Sequence, residues 1–247
     1  MPEVFPIKLS YTWCYLVKEG NKLLMIDASL SGFEKKFERK VKALGLAVED
    51  INLIILTHVH HDHVGITNWV KEKSGAPVLV HEKEASILEQ GKTPIPKGTG
   101  TLGKILHKLG NTFNFIFSYK PVKADILVKD THALDIYGFS ATLVPSPGHT
   151  EGSISVLFDT GECFVGDCCF QIFKRKDVFP IFANDVPQLL KTWKNLLNSK
   201  AVRFYPGHGQ VFDKKTLGFS LKKNKFLSKP KIRVLAYSLK QVYFNSI

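Results

Sequence analysis

Thr57-His58-Val59-His60-His61-Asp62-His63-Val64-Gly65 places four histidines and one aspartate within six residues. It directly follows the apolar run Ile51, Leu53, Ile54, Ile55, Leu56, whose branched character is that of a buried strand. On an extended or turning backbone alternate residues face the same way. His58 and His60 therefore point into one pocket, while Asp62 and His63 turn toward a second position beside it. Imidazole nitrogen with carboxylate oxygen suits zinc, iron or manganese. The loop holds no lysine or glutamate, the usual filler of a solvated turn, and it lies just beyond a strand's carboxyl end, where α/β sheets place their ligands. A metal site explains this composition better than a polar loop rich in histidine by chance.

Outward from that loop, the chain reads as alternating strands and helices. Tyr11 to Val17 and Leu23 to Ile26 make a hairpin across Gly20-Asn21 that ends at Asp27. A helix follows with Phe33, Phe37, Val41 and Leu44 on one face, and then the strand that delivers the histidines. Asp62 or His63 opens a helix that turns Ile66, Trp69 and Val70 inward. Val78 to Val80 is the next strand, followed by a helix from Glu82 to about Glu89; His81, with no partner at ligand spacing, is read as structural.

Residues 90–124 differ in kind. They are rich in glycine and proline, carry the aromatic run Phe113, Phe115, Phe117, Tyr119, and hold six lysines and no acid. A connection this long inside a compact domain is a lid or binding loop in many enzymes. Leu102, Ile105, Leu106 and Leu109 fit one short amphipathic helix within it. The phenylalanines equally suit packing on the core or a homodimer contact.

The second half repeats the order of the first. Short strands at Ile126 to Val128, Ala133 to Ile136 and Ala141 to Val144 lead to Pro147-Gly148-His149. A hairpin of Ile154 to Phe158 and Cys163 to Val165 ends at Gly166-Asp167. A helix with Leu189, Leu190, Trp193, Leu196 and Leu197 precedes a strand, Val202 to Tyr205, that runs into Gly207-His208-Gly209. Hairpin, strand ending in aspartate, helix, strand ending in histidine: the shared order implies two similar halves with their ligands at a common edge. His149, Asp167 and His208 sit on Gly- or Pro-marked turns that allow close approach. Seven candidate ligands result. One metal takes His58, His60 and His149, the second takes Asp62, His63 and His208, and Asp167 bridges. Asp27, Asp185 and His132 are read as structural.

His58-x-His60-x-Asp62-His63, Pro-Gly-His149-Thr, Gly-Asp167 and Gly-His208-Gly together resemble the motif set of the metallo-β-lactamase-fold hydrolases, over residues 11 to about 212. The resemblance implies a four-layer αββα sandwich with a dinuclear site between two sheets, ligand roles for all seven residues, and catalytic roles for Asp62 and Asp167. His61 falls at the variable position. The cofactors implied are two divalent ions, zinc first with iron or manganese as alternatives, holding a hydroxide that attacks the substrate. With the two carboxylates and that hydroxide the centre keeps a charge of about +1, which together with the lysines of 90–124 implies an anionic small-molecule substrate.

Among branches of the fold, glyoxalase II-like thioesterases match in ligands, but their basic glutathione-binding pattern is not evident beyond Lys214. N-acyl homoserine lactonases match in size, yet typically place a tyrosine three residues after the bridging aspartate, where this chain has Phe170. The reading adopted is hydrolysis of an ester, thioester or lactone. The runner-up is a phosphodiesterase or nuclease, with nucleic acid as a less favoured partner, and a mononuclear-iron persulfide dioxygenase stands behind both.

Composition bounds the rest. The chain of 247 residues is 44% apolar and 23% charged, an ordinary globular balance. No signal-like start and no membrane-spanning run is present, so a cytoplasmic location is expected. The four cysteines lack Cys-x-x-Cys spacing and are expected as free thiols. Nine of the 34 lysines and arginines, and none of the 22 acids, fall after Asp213. The division expected is a catalytic domain over 1–213, with 90–124 a lid or insertion, and a basic segment over 214–247 packed on it.

Overall fold

The computed structural model describes residues 1–112, 117–170 and 177–225. Two six-stranded sheets lie face to face. The first runs in the order β1 (Glu3–Lys8), β2 (Trp13–Glu19), β3 (Lys22–Ile26), β4 (Ile51–Ile55), β5 (Val78–His81), β6 (Ile126–Val128). The second orders β7 (His132–Ala133), β8 (Ala141–Pro145), β9 (Ile154–Phe158), β10 (Glu162–Phe170), β11 (Arg203–His208) and β12 (Phe212–Asp213), with β12 and β7 at its edges.

Side-chain alternation builds the layers. Along β3, Leu24 and Ile26 enter the core between the sheets, while Leu23 and Met25 point to the opposite face. There they meet Phe37 and Val41 of α1 (Glu34–Ala43) and, after the short α2 (His61–Val64), Val70 of α3 (Thr67–Ser74) and Leu88 of α4 (Glu82–Gln90). The central core also takes Val156, Phe164 and Tyr205 from the second sheet. On that sheet's outer face Cys163 and Phe204 meet Leu189 and Trp193 of α6 (Val186–Asn198) and Leu217 of α7 (Lys214–Asn224). The result is helix, sheet, sheet, helix, the four-layer architecture the sequence implies. Trp193 is fully buried and its indole nitrogen donates to Cys168 O at 2.7 Å. Truncating it to alanine would cost about 3–5 kcal/mol.

Both halves carry the hairpin, helix and parallel strand that the sequence order suggests: β2 and β3 are antiparallel and β3 and β4 parallel, as are β9 and β10, then β10 and β11. Three expectations change. β6, read with the second half, is the parallel edge of the first sheet beside β5. The strand at Ala133 to Ile136 is only His132–Ala133, because Leu134 turns into the central core and Asp135–Tyr137 closes a helical turn. The strand at Cys163 to Val165 extends to Phe170, with register shifts against β11 around Gly166 that re-aim Asp167 out of the ladder.

The amphipathic helix expected around Leu102 to Leu109 forms as α5 (Thr101–Thr112). Phe113 and Phe115 lie outside the described residues, as does all of the basic segment beyond Lys225. All four cysteines are buried and free.

Candidate metal centre

The carboxyl ends of β4, β10 and β11 meet at one end of the sandwich, and each sends a ligand-type side chain into the same space. His58 and His60 leave β4 on an extended loop; Asp62 and His63 come from the first turn of α2; Asp167 projects from the irregular part of β10; His208 ends β11. His149 arrives on the turn after β8. Polar atoms from His58, His60, His149 and Asp167 lie within 4.8 Å of one another, and a second group joins Asp62, His63 and His208. All seven are buried. Asp167, expected to bridge, falls in the first of these groups.

Asp167 sits between the groups. One carboxylate oxygen is 3.3 Å from His63 Nε2; the other is 3.3 Å from His208 Nε2 and 3.7 Å from His149 Nε2. His208 Nε2 also lies 3.3 Å from an Asp62 oxygen. Within the first group His58 Nε2 and His149 Nε2 both approach His60 Nδ1, at 2.9 and 3.0 Å.

The outward nitrogens decide what the inward ones offer. His149 Nδ1 is 2.9 Å from the carbonyl of Phe182 and His208 Nδ1 is 3.1 Å from that of Tyr11, so each carries a hydrogen. His63 Nδ1 lies 2.9 Å from Asp27 Oδ2. Thr57 donates its hydroxyl to the same carboxylate at 2.8 Å, and its oxygen is left to accept from His58 Nδ1 at 3.1 Å. In their neutral tautomers these four rings therefore aim lone pairs at the shared space. His60 Nδ1 and the two ring nitrogens within 3.0 Å of it, His58 Nε2 and His149 Nε2, have at most one hydrogen among them. That donor set fits a cation, and the fixed outer nitrogens are the usual support of metal-binding histidines.

Charge divides the centre. Burial holds His58, His60 and His149 below the ordinary imidazole value, so they are neutral at pH 7. Burial pushes His63 and His208 the same way, but the adjoining carboxylates outweigh it. Asp167, Asp27 and Asp62 raise His63 well above its usual value, and Asp167 with Asp62 raises His208 to about 9. Burial would raise Asp62 and Asp167, yet the His63 and His208 charges hold both below the usual carboxylate range.

Several contributors fall outside the motif residues. Glu84 accepts from the backbone of Val59 at 2.9 Å and of Gly152 at 3.1 Å, tying two ligand loops together. Asp27, read as structural, stands at the place in the first half that Asp167 holds in the second, and it orients His63 and Thr57. Its φ of 58° was signalled only by its position at a strand end. Phe170 stacks on His208, with ring centroids 4.3 Å apart. Gly207 has no room for a side chain: a Cβ there would stand 2.4 Å from His63 Cε1 and 2.6 Å from Asp167 Oδ1. Of the residues read as structural, His81 caps α4 and Asp185 caps α6. None of the three cysteines of β10 faces the centre; they pack under α6.

Above the ligands opens a cavity of about 900 Å³. His60, Asp62, His149, Asp167 and His208 form its floor, and residues of the 90–124 insertion form much of its wall.

The chain belongs to the metallo-beta-lactamase superfamily, whose model matches residues 7–208. Its relatives include "Probable metallo-hydrolase MJ0888" of Methanocaldococcus jannaschii, 25% identical over 207 residues that cover 81% of this chain and 89% of the relative. "Probable metallo-hydrolase M6_Spy0554" of Streptococcus pyogenes is 30% identical over 207 residues, covering 79% and 77%. Among solved structures, TTHA1623 in a di-iron-bound form superposes with a TM-score of 0.65 at 22% identity, over 87% of this chain and 98% of that one. Family, relatives and the two His/Asp groups support a metal-dependent hydrolase. Among the described residues no helix is long and apolar enough to cross a membrane.

Proposed function

We propose that the protein is a dinuclear metallohydrolase that cleaves an ester, thioester or lactone of a small molecule in the cytoplasm. His58, His60 and His149 hold one ion, Asp62, His63 and His208 hold the other, and Asp167 contributes to both. Zinc is the leading metal by ligand type, with iron or manganese next. The observation that carries the reading is Asp167: one oxygen faces His63 and the other faces His208 and His149, so a single carboxylate addresses both groups.

Bound there, two divalent ions supply Lewis acidity and lower the pKa of water from about 15.7 to about 7. The chain does the rest. Phe182, Tyr11, Asp27 and Thr57 fix the imidazoles so that no reorganisation is needed when substrate enters. Asp62 and Asp167, ionised at neutral pH, offset positive charge and accept hydrogen bonds from a nucleophilic water. The cavity walls exclude bulk water and hold the acyl group over the floor.

Residues 1–213 form the catalytic domain in this proposal, with 214–225 packed against it through α7. The lysines of 90–124 give no support to the anionic preference, because none of those six lines the cavity; among the described residues Lys8 is the one lysine that does. This also weighs against a nucleic-acid backbone as substrate. The test is metal analysis joined to turnover of p-nitrophenyl acetate and bis(p-nitrophenyl) phosphate. Two equivalents of metal with carboxylic-ester hydrolysis support the proposal. Phosphodiester-only turnover, or a single iron with no hydrolysis, overturns it.

A further inference from the structure

The 90–124 insertion presents hydrocarbon to the metal centre. Pro94, Ile95 and Pro96 line one part of the cavity, Leu106 and Leu109 of α5 line another, and Phe170 and Phe182 close it near the ligands. Apart from histidine, Lys8 is the one cationic side chain on the wall among the described residues, and its ammonium group lies over the ring of Trp13. A volume of about 900 Å³ is at the upper end of the range for small-molecule sites. A wall of this kind gains nothing from a phosphate or a sugar and stabilises an alkyl chain.

α5 adds a second observation. Leu106 and Leu109 are 40% and 54% exposed, yet both border the cavity. Among the described residues, leucines this open to water at the mouth of a cavity are not covered by apolar neighbours, and a chain lying along the cavity would cover them.

The wall is built into the fold. Gly103 of α5 lies so close to the 177–184 segment that a Cβ would fall 2.2 Å from the carbonyl oxygen of Ile181. Thr99 N donates to Ile181 O at 2.9 Å, the Thr99 hydroxyl to Pro180 O at 2.6 Å, and Ala183 N to Lys97 O at 2.9 Å. The leucines are therefore held over the site by backbone pairing.

Resting on the hydrolase reading above, we infer that the substrate is an ester or thioester of a medium- to long-chain fatty acid, with the acyl chain lying along Leu106, Leu109 and Pro94 to Pro96 and the carbonyl at the floor. Hydrolysis adds one water across the acyl bond: the carbon–oxygen or carbon–sulfur bond breaks, the acyl carbon gains oxygen, and the products are the fatty carboxylate, the alcohol or thiol, and one proton released to solvent.

The test separates binding from turnover. Displacement of the fluorescent fatty acid cis-parinaric acid from the metal-loaded protein is measured with dodecanoate and with acetate, below micellar concentrations. Hydrolysis of p-nitrophenyl dodecanoate and p-nitrophenyl acetate is measured in parallel. Dodecanoate should displace the probe at least about 100-fold more effectively than acetate, since each buried methylene is worth a factor of several. Leu106→Gln with Leu109→Gln, both at open positions that leave the core intact, should reduce that preference about tenfold or more. Leu127→Gln, at an equally open leucine of β6 away from the cavity, should leave the preference in place. Equal displacement by the two acids, or a preference that survives both glutamines, overturns the inference. Ester turnover with no chain-length preference defeats the acyl pocket and leaves the hydrolase standing. Chain-selective binding without ester turnover does the reverse.

Discussion

Asp27 Oδ2 lies 2.9 Å from Nδ1 of His63, and the same carboxylate takes the hydroxyl and the backbone N–H of Thr57. One residue thus sets two imidazoles, His63 directly and His58 through Thr57. Neither end of that carboxylate reaches the shared space itself.

Asp27→Asn should weaken metal binding without unfolding the protein. Asn tolerates the left-handed backbone at this position, where φ is 58°, whereas Ala would add strain. Loss of the charge behind His63 should lower metal affinity about 10- to 100-fold. Competition against a chromogenic chelator reads this directly, and wild-type affinity in the Asn variant would show that the contact does not orient the ring.

Asp167→Asn and His149→Ala should differ in how much metal they lose. Asp167 touches histidines of both groups, so the Asn variant should retain fewer equivalents than His149→Ala, which disturbs one group. Turnover should fall with metal content in both. An Asp167→Asn protein that still carried its full metal and activity would remove this residue from the centre.

Gly207→Ala is predicted to expel metal although it alters no polar atom. Its methyl would press on His63 Cε1 and Asp167 Oδ1, and it lies on a buried strand end that cannot retreat. The expected result is a folded protein by circular dichroism with metal affinity reduced at least tenfold, because sub-ångström displacement of a ligand matters at bond distance. Unchanged metal content would mean the strand end yields more easily than its packing implies.

The metal-free protein should lose stability as pH rises from about 6.5 to about 9. His208 is raised to about 9 and His63 is raised well above its ordinary value, so their ion pairs contribute fully below the unfolded histidine value of about 6.5 and are lost as pH climbs through the folded values. Asp62 and Asp167, held low, contribute above about pH 4 and lose that contribution only as pH falls through their depressed values. Metal replaces the protons on His63 and His208, so affinity for metal should rise over the same interval in which the metal-free thermal midpoint falls. A metal-free midpoint that stays level or climbs between pH 6.5 and 9 contradicts this.

The residues of the candidate centre were legible because metal chemistry constrains residue type, spacing and the glycines and prolines beside them. The paired halves were legible for a related reason: a strand that feeds a ligand loop must be short, apolar and followed by a turn. The strand β6 was read, but not the sheet it joins, since three residues carry no period and their partner β5 lies across the whole insertion. β1 escaped notice as an edge strand interrupted by Pro6, which forgoes a ladder donor there. Glu84, buried on a helix that looks ordinary in sequence, acts only through two backbone amides brought together by the fold. Lysine count in 90–124 was the misleading signal: the six ammonium groups lie off the cavity wall, while leucines and prolines between them form it.

The carbonyl of Phe182 aims His149, while its neighbours Ile181 and Ala183 are paired to Thr99 and Lys97. What recognises the substrate and what directs a ligand are thus soldered to one short piece of backbone. Anyone grafting the insertion of a relative onto this scaffold to change its specificity would have to carry residues 177–184 along with it. Left behind, that segment would lose its backbone partners at Lys97 and Thr99, and the transplant would detune the metal before it had altered the choice of substrate.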